Sequence, residues 1–256
     1  RRKPELLSPE TYNLHNYREA ERVVSEYAAL ADEARRIATA LRPDQQDAYY
    51  QLVLHPVEAC ATLNDLYVTV ARNRLFARQG RASTNTLAAR AGELFRKDSA
   101  LSHYYNTTLA GGKWSHMMDQ THISYTTWQQ PEKDVLPDVE TIRLNTVADM
   151  GVAIEGSDTW WPHDTNEAAL PGFDPYSRQS HFIEVFARGT LPVQYAINAQ
   201  EPYVRLNRSG GTTRTDERVW VDIDWGRAPK GTHRVPLTIT GSGSVRVVIF
   251  AVINNP

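Results

Sequence analysis

The sequence predicts an α+β chain of more than one domain, in which an antiparallel helical bundle is followed by an immunoglobulin-like β-sandwich. Between residues 8 and 110, apolar side chains recur at spacings of three, four and seven, which is the period of helices that bury one face. After Pro131 the pattern changes to short runs that often alternate apolar and polar residues, separated by turns rich in glycine and proline. Seven such runs within about a hundred residues are typical of a β-sandwich.

We expect three segments, since 256 residues are enough for two domains. A helical bundle should occupy residues 1–131 and end in a loop of aromatic and histidine residues at 111–131. An irregular linker with a first strand should cover residues 132–181. The β-sandwich should fill residues 182–256 and be incomplete at its C-terminus.

The first helix is expected to begin at Ser8, because serine caps helices and the following Pro9 and Glu10 suit a first helical turn. It should run for about thirty residues, until Pro43 breaks it and starts the second helix. Pro56 lies inside the second helix and should kink or split it.

Glycines should end the second and third helices. Gly80 is a candidate for a left-handed cap after the second helix, and Gly111-Gly112 should stop the third, which begins near Ser83 and ends near Leu109.

Seven strands are predicted after the helices. The predicted strands are Gly151–Glu155, Phe182–Ala187, Val193–Ala196, Tyr203–Leu206, Val219–Asp224, Val235–Thr240 and Val245–Val252.

Composition excludes several classes of function. The net charge is −2, which does not suggest a nucleic-acid or membrane surface, and no apolar run approaches the length of a membrane span. A single cysteine, Cys60, rules out an intrachain disulfide, and we expect it in the helical core. The chain starts at Arg1 without a methionine or signal peptide and stops directly after an apolar strand, so we expect it to be cut from a longer protein.

Residues 111–131 concentrate the chemistry of the chain: two histidines, two tryptophans, a tyrosine, a lysine and an aspartate. Aromatic faces beside hydrogen-bonding groups suit a sugar ring, which offers C–H faces and hydroxyls. The alternative is that Trp114, Met117, Ile123 and Trp128 plug a junction between two domains.

The segment Gly112–Ile123 closely resembles glycoside hydrolase family 115, whose members are α-glucuronidases acting on glucuronoxylan. The resemblance covers nearly the whole chain. It extends to the segments 17–24, 52–57, 79–83, 104–106, 151–157 and 222–231. The sequence departs from the family pattern at Ser124, where glycine is more usual, and at Thr127, where an aromatic residue is expected.

The resemblance implies that this chain is the middle-to-C-terminal piece of such an enzyme. The family's catalytic carboxylates lie in a (β/α)₈ barrel, for which residues 1–256 supply no strand–helix repeats, so no catalytic residue is assigned here. The implied partners are glucuronoxylan or xylo-oligosaccharides, the missing barrel and a possible second copy of the chain. A secreted or periplasmic location in a bacterium also follows from the resemblance, and we expect no cofactor.

The loop is expected to reach into the substrate pocket. Tyr125, His116 and His122 would donate hydrogen bonds to the sugar, and Lys113 would balance the uronate charge. Trp114 and Trp128 would form a stacking wall, unless they belong to a core or an interface.

Other readings remain open. His116, Asp119 and His122 have no strong zinc spacing, so we do not expect a metal site.

Asp222 and Asp224 share one face of a strand and would either bind calcium or face solvent. Trp160-Trp161 is expected to be buried rather than an exposed sugar platform. Two alternative functions are a non-catalytic carbohydrate-binding module and a purely structural module.

Overall fold

The computed structural model describes residues 7–125 and 129–256. The chain divides into two compact units, which we treat separately. The helical unit comprises Arg1–Arg74 and Asn85–Glu140, and the sheet unit comprises Leu75–Thr84 and Thr141–Pro256. The residues of the predicted linker are therefore shared between the units, with 132–140 in the first and 141–181 in the second.

Among its described residues, the helical unit contains four α-helices, two of which cross its boundary. They are α1 (Glu19–Ala40), α2 (Pro43–Tyr49), α3 (His55–Gln79) and α4 (Thr84–Thr107). A π-helical turn at Tyr50–Leu54 separates α2 from α3, and a 3₁₀ turn at Leu109–Gly112 follows α4.

The predicted start of the first helix at Ser8 is wrong, because α1 begins only at Glu19. Tyr17 and Arg18 have φ values of 56° and 51°, a left-handed conformation that prevents a right-handed helix from running through them. Before them, the side chain of Asn13 accepts backbone hydrogen bonds and stabilises a turn. The apolar spacing over residues 14–17 therefore belongs to turns.

The predicted effects of Pro56 and Gly80 are confirmed. Pro56 is the second residue of α3 and has no N–H to donate to Leu52, so the helix is interrupted just before it. The preceding amide, that of His55, bonds instead to the carbonyl of Tyr50, five residues back. Gly80 ends α3 with φ 65°.

The core of the helical unit lies between α3, α4 and the loop after α4. Its fully buried side chains include Leu66 and Val70 of α3 and Ile123 of the loop. The expected burial of Cys60 is wrong, because this residue is exposed. Most residues of α3 between Thr62 and Ala71 are buried, whereas Cys60 lies just before them, and apolar spacing alone does not show where along a helix the covering residues begin.

The sheet unit contains two sheets. One has the strand order β1-β3-β7-β5, the other has the order β2-β9-β8-β4-β6, and all pairs are antiparallel except β2–β9. The strands are β1 (Met150–Ile154), β2 (Ala168–Ala169), β3 (His181–Ala187), β4 (Val193–Ala199), β5 (Val204–Leu206), β6 (Gly210–Thr213), β7 (Asp216–Ile223), β8 (Gly231–Gly241) and β9 (Val245–Asn255).

All seven predicted strands are present, with small shifts at their ends. The two that sequence reasoning missed are β2, which has only two residues, and β6, which was interpreted as a turn because of Gly210-Gly211. Glycine is needed at this edge, because a Cβ on Gly210 would lie 2.8 Å from the carbonyl oxygen of Tyr195 in β4.

One hydrophobic cluster joins the inward faces of both sheets. Ile183 and Val219 of the first sheet share it with Leu237 and Ile249 of the second, and all four are fully buried. The chain as a whole thus combines helices with two sheets, which makes it an α+β protein. The predicted burial of Trp160 and Trp161 is confirmed.

A buried arginine ties the end of α3 to the first sheet within the sheet unit. Arg81 is only 1% exposed, and its guanidinium donates to Glu184 at 2.7 Å and to Asp216 at 3.1 Å. The same group stacks between the rings of Phe76 and Phe186, at 4.0 and 4.3 Å from their centroids.

None of the described helices has both the length and the apolar character that a membrane span requires.

Candidate functional site

The predicted loop begins with a sharp reversal of the chain after α4. Ala110, Gly111 and Gly112 have φ values of 50°, 68° and 81°, so three consecutive residues adopt left-handed conformations. A Cβ on Gly112 would lie 3.2 Å from the carbonyl oxygen of Thr107 in the last turn of α4. The glycine pair therefore directs residues 113–125 back along the helical unit.

The second half of this loop is fixed by its own backbone amides. Those of His122 and Ile123 both donate to Oδ1 of Asp134 at 2.7 Å, and that of Ser124 donates to the hydroxyl of Tyr67 at 3.0 Å. Ser124 has φ 65°, a conformation that glycine adopts at the least cost. With Ile123 fully buried beside them, these bonds hold the loop to the core.

His122 is held by a buried carboxylate. Its Nε2 lies 3.0 and 2.9 Å from the two oxygens of Asp98 in α4, whose side chain is 6% exposed. The hydrogen bond to Asp98 outweighs the effect of burial and raises the pKa of His122 to about 9. The imidazolium present at neutral pH therefore donates from Nε2 to Asp98 and from Nδ1 to the carbonyl of Gln120 at 3.0 Å.

The first half of the loop projects into solvent. The side chain of His116 is 84% exposed and its Nδ1 lies 2.6 Å from a carboxylate oxygen of Asp119. Nζ of Lys113 lies 4.8 Å from the ring centroid of Trp114. Asn106 of α4 supports this half, since its amide donates to Asp119 at 2.7 Å and its oxygen accepts from the amide of Met118 at 2.9 Å.

The structure thus divides the predicted site residues into two groups. Lys113, Trp114 and His116 lie together on the outer half of the loop, and His122 and Tyr125 lie on the fixed half, where Tyr125 is only 6% exposed. Trp128 lies outside the described residues. The division follows from the anchoring, because the amides of His122, Ile123 and Ser124 bond to Asp134 and Tyr67.

A cavity of about 350 Å³ lies beside His122, and sequence reasoning missed it. It opens between α3, α4 and the loop. Its lining residues are His55, Ala59, Asp98, Leu101, Ser102, Met117, Met118, Gln120 and His122. Of the lining residues outside the loop, His55 stood in a segment that carries the resemblance, whereas no sequence pattern singled out Asp98.

Within residues 7–125 and 129–256, no three His, Cys, Asp or Glu side chains are arranged to hold a metal ion. His116 pairs with Asp119 and His122 pairs with Asp98, so these residues form two separate pairs. In the sheet unit, Asp222 accepts a hydrogen bond from Ser180, and Asp224 forms an ion pair with Arg205.

Comparisons with known proteins do not define a family. No family model and no curated protein matches the sequence. Among solved structures, the chain is similar to a FixG-related protein from Vibrio parahaemolyticus, with 10% identity, a TM-score of 0.28, and coverage of 42% of this chain and 95% of that one. It is also similar to the ASH/PapD-like domain 7 of human CEP192, with 10% identity, a TM-score of 0.29, and coverage of 49% and 96%.

Proposed function

We propose that this chain is part of a xylan α-glucuronidase similar to glycoside hydrolase family 115. The enzyme would release glucuronic acid or its 4-O-methyl form from glucuronoxylan. In this proposal the two catalytic carboxyl groups belong to a barrel outside this chain. The chain supplies a wall of the substrate pocket and packs against the catalytic domain. The basis of the proposal is the residue pattern of Gly112–Ile123, together with the geometry of the loop that carries it.

The observation that carries the proposal is the two-part construction of this loop. Its inner half is fixed by Asp98, Asp134 and Tyr67, while its outer half presents an exposed cation and an exposed imidazole beside a half-buried indole. A fixed base with a polar and aromatic tip suits a loop that completes a pocket on a neighbouring domain. Lys113 would meet the uronate carboxylate, and Trp114 would meet the C–H face of the sugar.

The proposal extends to the finer fold. We propose that the helices form an antiparallel bundle and that the two sheets form an immunoglobulin-like sandwich. The hydrophobic core that the two sheets share supports the proposed sandwich. A secreted or periplasmic enzyme that associates as a homodimer belongs to the same proposal.

The proposal is tested by assaying release of uronic acid from glucuronoxylan. We expect no release by the 256-residue chain alone and clear release when the chain is joined to its catalytic barrel. Release by the chain alone would contradict the assignment of the chemistry to another domain. If the joined protein is folded but inactive on glucuronoxylan, the proposed substrate is wrong.

A further inference from the structure

The cavity beside His122 has the size and the lining of a small binding site. Its volume of about 350 Å³ falls at the lower end of the range for small-molecule sites. Its lining combines the apolar side chains of Leu101, Met117 and Met118 with the polar side chains of Ser102 and Gln120. Such a mixture suits a compact ligand that has both C–H surface and hydroxyl groups.

His55 provides an independent sign of a ligand. This residue lines the cavity and is only 7% exposed, yet its Nδ1 is buried without a hydrogen-bond partner among the described residues. A buried polar atom without a partner destabilises the fold, so a ligand that supplies the missing hydrogen bond would explain its presence. A turn of the ring about χ2, a soft torsion in histidine, would let Nδ1 bond to a ligand in the cavity.

The charges around the cavity favour an uncharged ligand. Burial lowers the pKa of His55, so its ring is neutral and has one nitrogen that accepts a hydrogen bond. Asp98 and His122 neutralise each other, and both ring nitrogens of His122 already donate to protein oxygens. A carboxylate in the cavity would therefore face the Asp98 charge without a free cation to compensate for it.

We propose that this cavity binds a neutral hydroxylated ring, and that its occupant is a xylose unit of the xylan main chain. The identity of the sugar rests on the proposed function, whereas the preference for a neutral ring rests on the cavity itself. A hydroxyl of the ring would donate to Nδ1 of His55, and its C–H face would lie against Met117 and Leu101. The site would hold the polymer while the outer half of the loop meets the uronate side chain.

The test is a titration of the 256-residue chain with xylotriose, followed through the imidazole resonances of His55 by NMR. We expect saturable shifts with xylotriose and none with glucuronic acid at the same concentration. Two variants should abolish binding: His55→Phe removes the acceptor but keeps an aromatic ring, and Ala59→Leu narrows the cavity but keeps His55. His103→Phe is the matched control, because His103 is exposed and does not line the cavity; it should bind like the wild type.

For His55→Phe, binding is followed through the methyl resonances of the cavity methionines, and circular dichroism verifies that both variants are folded. The proposal is wrong if xylotriose causes no shifts in the wild type, if Ala59→Leu binds it unchanged, or if glucuronic acid binds equally well. The outcome is separable from the proposed function. If xylotriose causes no shifts but the joined enzyme releases uronic acid normally, only the proposed binding site is wrong. If xylotriose binds but the joined enzyme releases no uronic acid, only the proposed enzyme activity is wrong.

Discussion

Among single residues, the pairing of His122 with Asp98 is the clearest link between the loop and the helices. The sequence pointed to His122, because it stands in a segment dense in aromatic and hydrogen-bonding side chains. It did not point to Asp98, which lies 24 positions earlier and meets His122 only through the tertiary fold. The Asp98 carboxylate binds Nε2 of His122, while Nδ1 lies 3.0 Å from the carbonyl oxygen of Gln120, so both ring nitrogens have protein partners.

The raised pKa of His122 predicts how stability depends on pH. A histidine with a raised folded-state pKa stabilises the protein fully below its unfolded value of about 6.5, and the contribution is lost as the pH rises through about 9. In urea unfolding between pH 6 and pH 9.5, we expect the wild type to lose up to about 3 kcal/mol from this source.

In the variant Asp98→Asn, the unfolding free energy should fall much less between pH 6 and pH 9.5, because a neutral amide does not stabilise the charged imidazolium of His122. Asp119→Asn is the matched control, since it removes the partner of a histidine that is 84% exposed, and it should keep the wild-type pH dependence. Equal pH dependence in Asp98→Asn and the wild type would show that the pair does not stabilise the fold.

Arg81 gives a second prediction about a single residue. Replacing it with methionine leaves Asp216 without its buried cation and Glu184 with only Arg218, so we expect a loss of about 3–5 kcal/mol in unfolding free energy. Arg90→Met is the control, because its ion pair with Asp65 is half-exposed at 3.0 Å and should contribute less than about 1 kcal/mol. Similar losses in the two variants, measured by urea denaturation, would contradict this view.

At the level of helices and strands, local chemistry explains what the sequence could and could not predict. The breaks at Pro43, Pro56 and Gly80 were predictable, because proline and glycine act on their own backbone. The start of α1 was not, because its apolar spacing continues into turns. Likewise β6 looks like a turn in isolation, and only the close approach of β4 gives Gly210 its place in a strand.

Two glycines should respond in opposite ways to the same substitution. Gly80→Ala should destabilise the protein by about 1–2 kcal/mol, because φ is 65° there and the new Cβ would lie 3.2 Å from the guanidinium of Arg188. Gly92→Ala, in the middle of α4, should stabilise it by about 0.5–1 kcal/mol, since the nearest atom is the flexible end of Arg96 at 3.5 Å. Thermal unfolding of both variants tests the pair, and shifts of the same sign would contradict the assignment of Gly80 as a left-handed cap.

For the whole molecule, the arrangement of helices followed by strands was predictable from the change of period after Pro131. The cavity was not, because its walls come from residues between 55 and 122 that only the fold brings together. A motif thus located the loop, but the direction of its side chains depended on anchors such as Asp134 and Tyr67.

The most direct test of the proposed role is kinetic. In a protein that joins this chain to the proposed catalytic barrel, Lys113→Met with His116→Gln changes the exposed tip and leaves the anchors intact. The control is Lys133→Met with His103→Gln, two exposed residues outside the tip. We predict that kcat/KM on glucuronoxylan falls by about tenfold or more in the tip variant, equal to about 1.4 kcal/mol, and stays unchanged in the control. Equal kcat/KM values in the tip variant and the wild type would contradict the account and leave the loop a structural support.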